Sequence, residues 1–170
     1  MSPSFFIGVD PGITGGVAAL SESGALVFAH RTPLIAGDYD LRRMVELLNY
    51  QGARVAIEAV GAARVAGRQQ GGTSMFSFGK GYGIWLGIIA TLGLPRIDVK
   101  PQAWTKELLA GMPKPEDPKL RPAARKANAV QRALALWPEI PIKFKADWAM
   151  ADAALIAEYA RRRHVGKGVA

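Results

Sequence analysis

The 170-residue chain contains no cysteine and only two histidines, His30 and His164, which lie far apart. The first absence excludes a disulfide framework, a thiolate zinc site and a cysteine nucleophile together, and it fits a reducing compartment. The second leaves no pair with ligand spacing, so a histidine-based metal site is not expected. Long apolar runs are missing as well. The most apolar stretch, Ile84 to Leu94, is 11 residues long and carries Gly87 and Gly93, against the roughly 20 residues needed to cross a bilayer. At the N-terminus the apolar run is broken by Asp10 and Pro11, so no signal peptide is expected and the protein should be soluble, with no membrane partner. Acidic residues are scarce: 14 Asp and Glu stand against 22 Lys and Arg, a formal charge of +8. That imbalance favours a polyanionic partner such as nucleic acid without naming it.

Of the residues present, 49% are hydrophobic, enough at this length for one well-packed domain over residues 1–170 and too few for two. The chain is organised around Phe5 to Leu20, FFIGVDPGITGGVAAL. Phe5, Phe6 and Ile7 read as a buried strand, Pro11, Gly12, Gly15 and Gly16 punctuate a turn, and Val17 to Leu20 resume an apolar run. Two antiparallel strands with a tight loop are predicted, with Asp10 among residues too small to cover it. Asp10 either caps the turn or belongs to a site. Ala25 to Ala29 reads as a third strand and Leu41 to Tyr50 as an amphipathic helix capped by Asp40. Val55 to Ile57 then forms a short interior strand with Glu58 at its C-terminal end. Glu58 either faces solvent or shares a site with a cation, and in parallel sheets the C-terminal strand ends are where sites assemble.

From Ala62 to Gly83 the composition shifts to Gly, Ser, Thr, Gln, basic residues and Phe. A loop is predicted in which Arg64, Arg68 and Lys80 meet phosphates and Phe76, Phe78 or Tyr82 stacks on an unpaired base; the alternative is a connector whose rings anchor the next helix. Gly81 to Leu92 reads as a buried helix and Arg96 to Val99 as a strand whose Asp98 points outward by alternation. A helix follows from about Lys100 to Ala110, then the proline-rich loop Gly111 to Pro122, then a helix from Ala123 to Trp137. The basic run on that helix, Arg121, Arg125, Lys126 and Arg132, reads as a solvated face or as the border of a ligand channel. A last helix starts near Asp147 and runs through ADWAMADAALIAEYARRR. Asp147 and Asp152 would lie about 140° apart on a regular helix, so Asp147 joins Asp152 only from the helix N-terminus, where its other role is an N-cap. Small residues around Asp152 let this helix lie close to a sheet.

Three segments, GVDPGITGG, VAIEAVGA and ADWAMADAALIAEYARR, resemble in order and spacing the three acidic motifs of RuvC-like Holliday-junction resolvases of the RNase H-like superfamily. The middle part, FGKGYGIWLGIIATLG followed by VKPQAWTK, is similar to the branch containing plant chloroplast resolvases and related bacterial and phage proteins. The resemblance implies an α/β, RNase H-like fold: a five-stranded mixed sheet, its first three strands antiparallel, flanked by helices on both faces. Asp10, Glu58 and Asp152 would converge as metal-binding catalytic residues. Where the family has its fourth acid this chain has Ala149 and Trp148, so that ligand is Asp147, displaced by a residue or two, or is absent. The junction-opening aromatic of bacterial members is matched only by Val60 to Ala63, which leaves Phe76 or Phe78 as substitutes.

An all-oxygen ligand set suits Mg²⁺ or Mn²⁺, two ions per site, which would activate water and stabilise the leaving oxygen. The implied reaction is hydrolysis of a phosphodiester to 5′-phosphate and 3′-hydroxyl ends, in a homodimer that makes paired nicks in a four-way DNA junction. Lys80, Lys100, Lys106 and Lys126 are the implied phosphate contacts, and the expected location is cytoplasmic, on the nucleoid or encoded by a phage. The glycine-rich hairpin also resembles the phosphate loop of sugar kinases and actin-like ATPases, but those need a second such domain. The other rivals are a nuclease acting on RNA–DNA hybrids and a junction binder without catalysis.

Overall fold

The computed structural model describes residues 5–59 and 72–165. Strand β1 (Phe5–Asp10) pairs antiparallel with β2 (Gly16–Ser21), and β2 pairs antiparallel with β3 (Leu26–Arg31). A two-residue hairpin, β4 (Leu34–Ile35) and β5 (Asp38–Tyr39), leads into helix α1 (Leu41–Leu48), whose N-cap Asp40 accepts a bond from the Arg43 N–H. Strand β6 (Ala53–Glu58) lies parallel to β1, and β7 (Arg96–Val99) lies parallel to β6, with helix α2 (Gly72–Thr91) between them in sequence. Helices α3 (Pro101–Leu108), α4 (Arg121–Leu136) and α5 (Trp148–Val165) complete the described chain. The sheet order β3-β2-β1-β6-β7 is the expected five-stranded mixed sheet.

Strand alternation divides the core. Phe6, Ala18, Leu20 and Ala56 point to the face covered by α3, α4 and α5, whereas Ile7, Val9, Val17, Val55 and Ile57 point to the face covered by α1 and α2. Both faces being buried, the central strands read as continuous apolar runs. Helix α5 lies across β1 and β2, and Gly8 permits it: a Cβ there would stand 2.0 Å from the Ala153 carbonyl oxygen. Because β1, β6 and β7 run parallel, their C-terminal ends gather at one end of the sheet, which brings Asp10 and Glu58 together.

Two elements differ from the sequence expectation. The stretch predicted as loop up to Gly83 is helical from Gly72, so Phe76, Phe78, Lys80 and Tyr82 sit on α2. Its glycines lower helix propensity, but Gly81 passes directly over the Tyr39 hydroxyl, where a Cβ would stand 2.2 Å away, and close packing on the sheet outweighs propensity. The β4–β5 hairpin was not expected; its turn places Ala36 at φ 51 and Gly37 at φ 83, and alanine carries no turn signal. Among the described residues no helix is long and apolar enough to cross a membrane.

Candidate active site

At the C-terminal end of the parallel strands lies a cleft of about 690 Å³, lined by Asp10 and the loop after it, Glu58, Phe78, Arg125, Lys126 and Asp152. Three of the four acids singled out in the sequence meet here. Asp10 ends β1 and Glu58 ends β6; Asp152 comes from the first turns of α5, which runs over both strands. The loop from Pro11 to Gly15 is tied down by the Thr32 hydroxyl, which donates to the Gly12 carbonyl at 2.7 Å. Asp10 therefore leaves a rigid strand end.

The electrostatics differ among the three. Asp10 has its pKa pushed well above the usual carboxylate value, first by burial and then by repulsion from Asp152 and Glu58; Lys126 and Arg125 oppose this without cancelling it. Among the described residues no side chain or backbone group donates a hydrogen bond to its carboxylate. Glu58 is raised by burial and by Asp152, while the Trp104 indole N–H, donating at 2.7 Å, pulls it back. Burial also raises Asp152, against the pull of Arg125, whose guanidinium donates to both oxygens at 3.4 and 3.3 Å. That guanidinium lies 5.7 Å from the centre of the Trp104 ring, a cation–π contact. Glu58, Trp104, Arg125 and Asp152 thus form one continuous chain of contacts.

The structure does not bring Asp147 into the cleft. It sits in a 3-10 turn before α5, accepts backbone N–H bonds from Lys143 and Phe144 at 2.8 Å each, and takes the Arg31 Nε–H at 2.6 Å. These backbone bonds, with Arg31, hold its carboxyl below the usual value. A carboxylate so fully engaged braces the 3-10 turn from within instead of capping α5, since its backbone donors lie upstream of it, and the bond from Arg31 holds it toward β3.

Of the predicted nucleic-acid contacts, Lys126 lines the cleft and Phe78 borders it, its ring 3.7 Å from where a Cβ on Gly12 would stand. Phe76 is 75% exposed one side-chain position before the cleft wall residue Ser77. Lys80 is engaged elsewhere, bonded to both oxygens of Asp38 at 2.7 Å and lying over the Tyr39 ring. Lys100 is exposed at the N-cap of α3, just beyond the end of β7, and Lys106 is exposed on α3. Arg64, Arg68 and the Val60 to Ala63 positions lie outside the described residues. Asp98 points outward as expected, toward Arg96 and the Tyr82 hydroxyl.

Sequence reasoning missed the role of Trp104, whose signal was its position soon after a strand end. Of the basic run read as a solvated face or the border of a ligand channel, Arg125 and Lys126 line the cleft.

Three oxygen-donor carboxylates with raised pKa values and too little positive charge match the donor chemistry of a hard divalent cation. Among the described residues no three acidic or histidine side chains are grouped tightly enough to hold such an ion, and Asp152 faces Arg125.

No family model and no curated protein matches the sequence. Solved structures do match. The chain is similar to T. thermophilus RuvC in complex with a Holliday junction substrate, at 18% identity and a TM-score of 0.66 over 95% of this chain and 96% of that one. A further Thermus thermophilus RuvC structure matches at 20% identity and a TM-score of 0.63, with the same coverage of each chain. The likeness extends over nearly the whole chain and gives it the RNase H-like fold of RuvC.

Proposed function

We propose that this chain is a structure-selective endonuclease that resolves four-way DNA junctions, acting as a single nuclease domain in a homodimer that places two clefts on one junction. The observation that carries this reading is the meeting of Asp10, Glu58 and Asp152, from two strand ends and a helix, in one cleft edged by Lys126. The RuvC fold, present in a structure bound to a Holliday junction substrate, supports the choice of DNA substrate.

Asp10, Glu58 and Asp152 are the residues that would hold divalent ions, Mg²⁺ or Mn²⁺, two per site. When bound, such ions supply Lewis acidity, lowering the pKa of water and neutralising charge on the phosphate. The protein groups do the rest. Lys126 at the cleft edge and Lys100 beyond β7 draw the DNA backbone by charge, in a phosphate contact that carries no base sequence. Trp104 holds the Glu58 carboxylate in a fixed direction through its N–H, and the rigid Pro11 to Gly15 loop keeps Asp10 in register with it. Phe78 walls the cleft, and the exposed ring of Phe76 is placed to stack on a base freed at the crossover. Hydrolysis leaves 5′-phosphate and 3′-hydroxyl ends, and the DNA served is that of the nucleoid or of a phage in the cytoplasm.

The test is incubation of the purified protein with a synthetic four-way junction, a matched duplex and an RNA–DNA hybrid, with Mg²⁺ and with EDTA. Paired, metal-dependent nicks confined to the junction and lost in Asp10→Asn and Glu58→Gln are expected. Cleavage of the hybrid alone would move the protein to another nuclease class, and tight junction binding without cleavage under any divalent ion would leave a binding protein.

A further inference from the structure

Arg125 makes two unlike contacts at once. Its guanidinium faces both oxygens of Asp152, at 3.3 and 3.4 Å, and lies over the Trp104 ring, whose N–H is committed to Glu58. It therefore links Asp152 directly, and Glu58 through Trp104, to one positive charge. The contact is loose. Elsewhere on α5, Arg161 and Arg162 hold Glu158 at 2.7 and 2.6 Å, and Arg161 is largely covered, whereas Arg125 keeps 37% of its side chain exposed. A long side chain rooted in the first turns of α4, open to water on one side, can leave without disturbing the core.

We propose that Arg125 is an internal counter-cation that occupies the divalent-ion position in the metal-free protein, so that arginine and metal bind Asp152 in mutually exclusive states. The inference rests on the nuclease reading above and extends it, because it makes Arg125 a positioning residue that sets how readily the site loads. Metal entry must swing the guanidinium away from Asp152 and off the Trp104 ring. The two ligands compete for one carboxylate, so the apparent metal affinity falls by the population of the paired state.

The test uses the full chain without DNA. Mg²⁺ binding is measured by isothermal titration calorimetry, with tryptophan emission followed in parallel, for the unmodified protein and for Arg125→Gln, Arg125→Lys, Lys126→Gln and Asp152→Asn; circular dichroism checks folding. Arg125→Gln should bind Mg²⁺ about tenfold tighter, the scale of a lost charge-assisted contact to a half-exposed partner. Lys126→Gln changes the same field without touching Asp152, and should tighten binding by less than about threefold. Arg125→Lys, which keeps the charge but not the paired donors, should fall between them. Mg²⁺ should shift the emission of the unmodified protein as Arg125 leaves Trp104, and leave that of Arg125→Gln unchanged. The proposal is overturned if Arg125→Gln binds Mg²⁺ no tighter than Lys126→Gln does, or more weakly than the unmodified protein. If none of the folded proteins binds Mg²⁺, or Asp152→Asn binds it unchanged, the metal-dependent reading itself fails.

Discussion

Helix α5 carries two buried acids, Asp152 and Glu158, and the protein treats them oppositely. Glu158 takes three short bonds from neighbouring arginines: Arg161 donates to both its oxygens at 2.7 and 3.0 Å, and Arg162 adds a bond at 2.6 Å. These hold its carboxyl below the usual value although burial pulls the other way. Asp152, also buried, has one loose arginine and two neighbouring acids, and its pKa is raised. An acid that only supports the fold is saturated with donors. The acids in the cleft are left short of positive charge, which is the condition for taking up a cation from solution.

The largest expected effects test that contrast through activity. Asp152→Asn should lower junction cleavage by at least about a thousandfold, equivalent to roughly 4 kcal/mol of barrier, while its unfolding midpoint in EDTA stays level or rises. Glu158→Gln, by contrast, should retain cleavage and lose stability. A more severe change, Glu158→Ala, should cost about 2 kcal/mol in urea unfolding, less than the ~3–5 kcal/mol of a fully buried pair because the Arg162 side chain is 44% exposed. Equal losses for Asp152→Asn and Glu158→Ala in EDTA would erase the distinction between the two acids.

Metal gives a smaller effect. At tenfold excess over its dissociation constant, Mg²⁺ should stabilise the native chain by about 1.4 kcal/mol, read as a rise in melting temperature, and should do so far less for Asp10→Asn.

The smallest expected effect is in pH, and its sign separates the two acids. Asp10 has a raised pKa in the fold, so the native state holds a proton that the unfolded chain releases just above its ordinary value of 3.8. Stability in EDTA should therefore be lost as pH rises from that value through the raised one, and Asp10→Asn should reduce that slope, leaving the part that Glu58 and Asp152, shifted the same way, contribute. Glu158 is shifted down from 4.5, so its contribution is present above that value and is lost as pH falls through the lowered one.

Much of this was legible in the sequence for a simple reason. Strands buried on both faces write themselves as apolar runs, and β1, β2 and β6 each announce themselves that way, with Asp10 and Glu58 as the conspicuous charges at their ends. Asp152 was legible because small residues surround it. Asp147 lay within reach in sequence, and only the backbone bonds of its turn reveal that it is occupied. The N-terminal half of α2, before the helix expected from Gly81, was hidden because its mixture of glycine, serine, basic and aromatic residues has the composition of a loop. Arg125 was left between a solvated face and the border of a ligand channel, because what decides for the channel, Trp104 and Asp152, arrives from other elements.

The close seat of α5 on β1 at Gly8 also sets a tolerance. Asp10 is carried by the strand and Asp152 by the helix, so the gap between those two backbones is the ruler by which the acids are spaced. A ruler made of missing atoms can only be lengthened: any side chain at position 8 pushes the helix outward and widens the spacing, and none shortens it. The gauge of the site is thus held at its lower stop by a residue that takes no part in the chemistry.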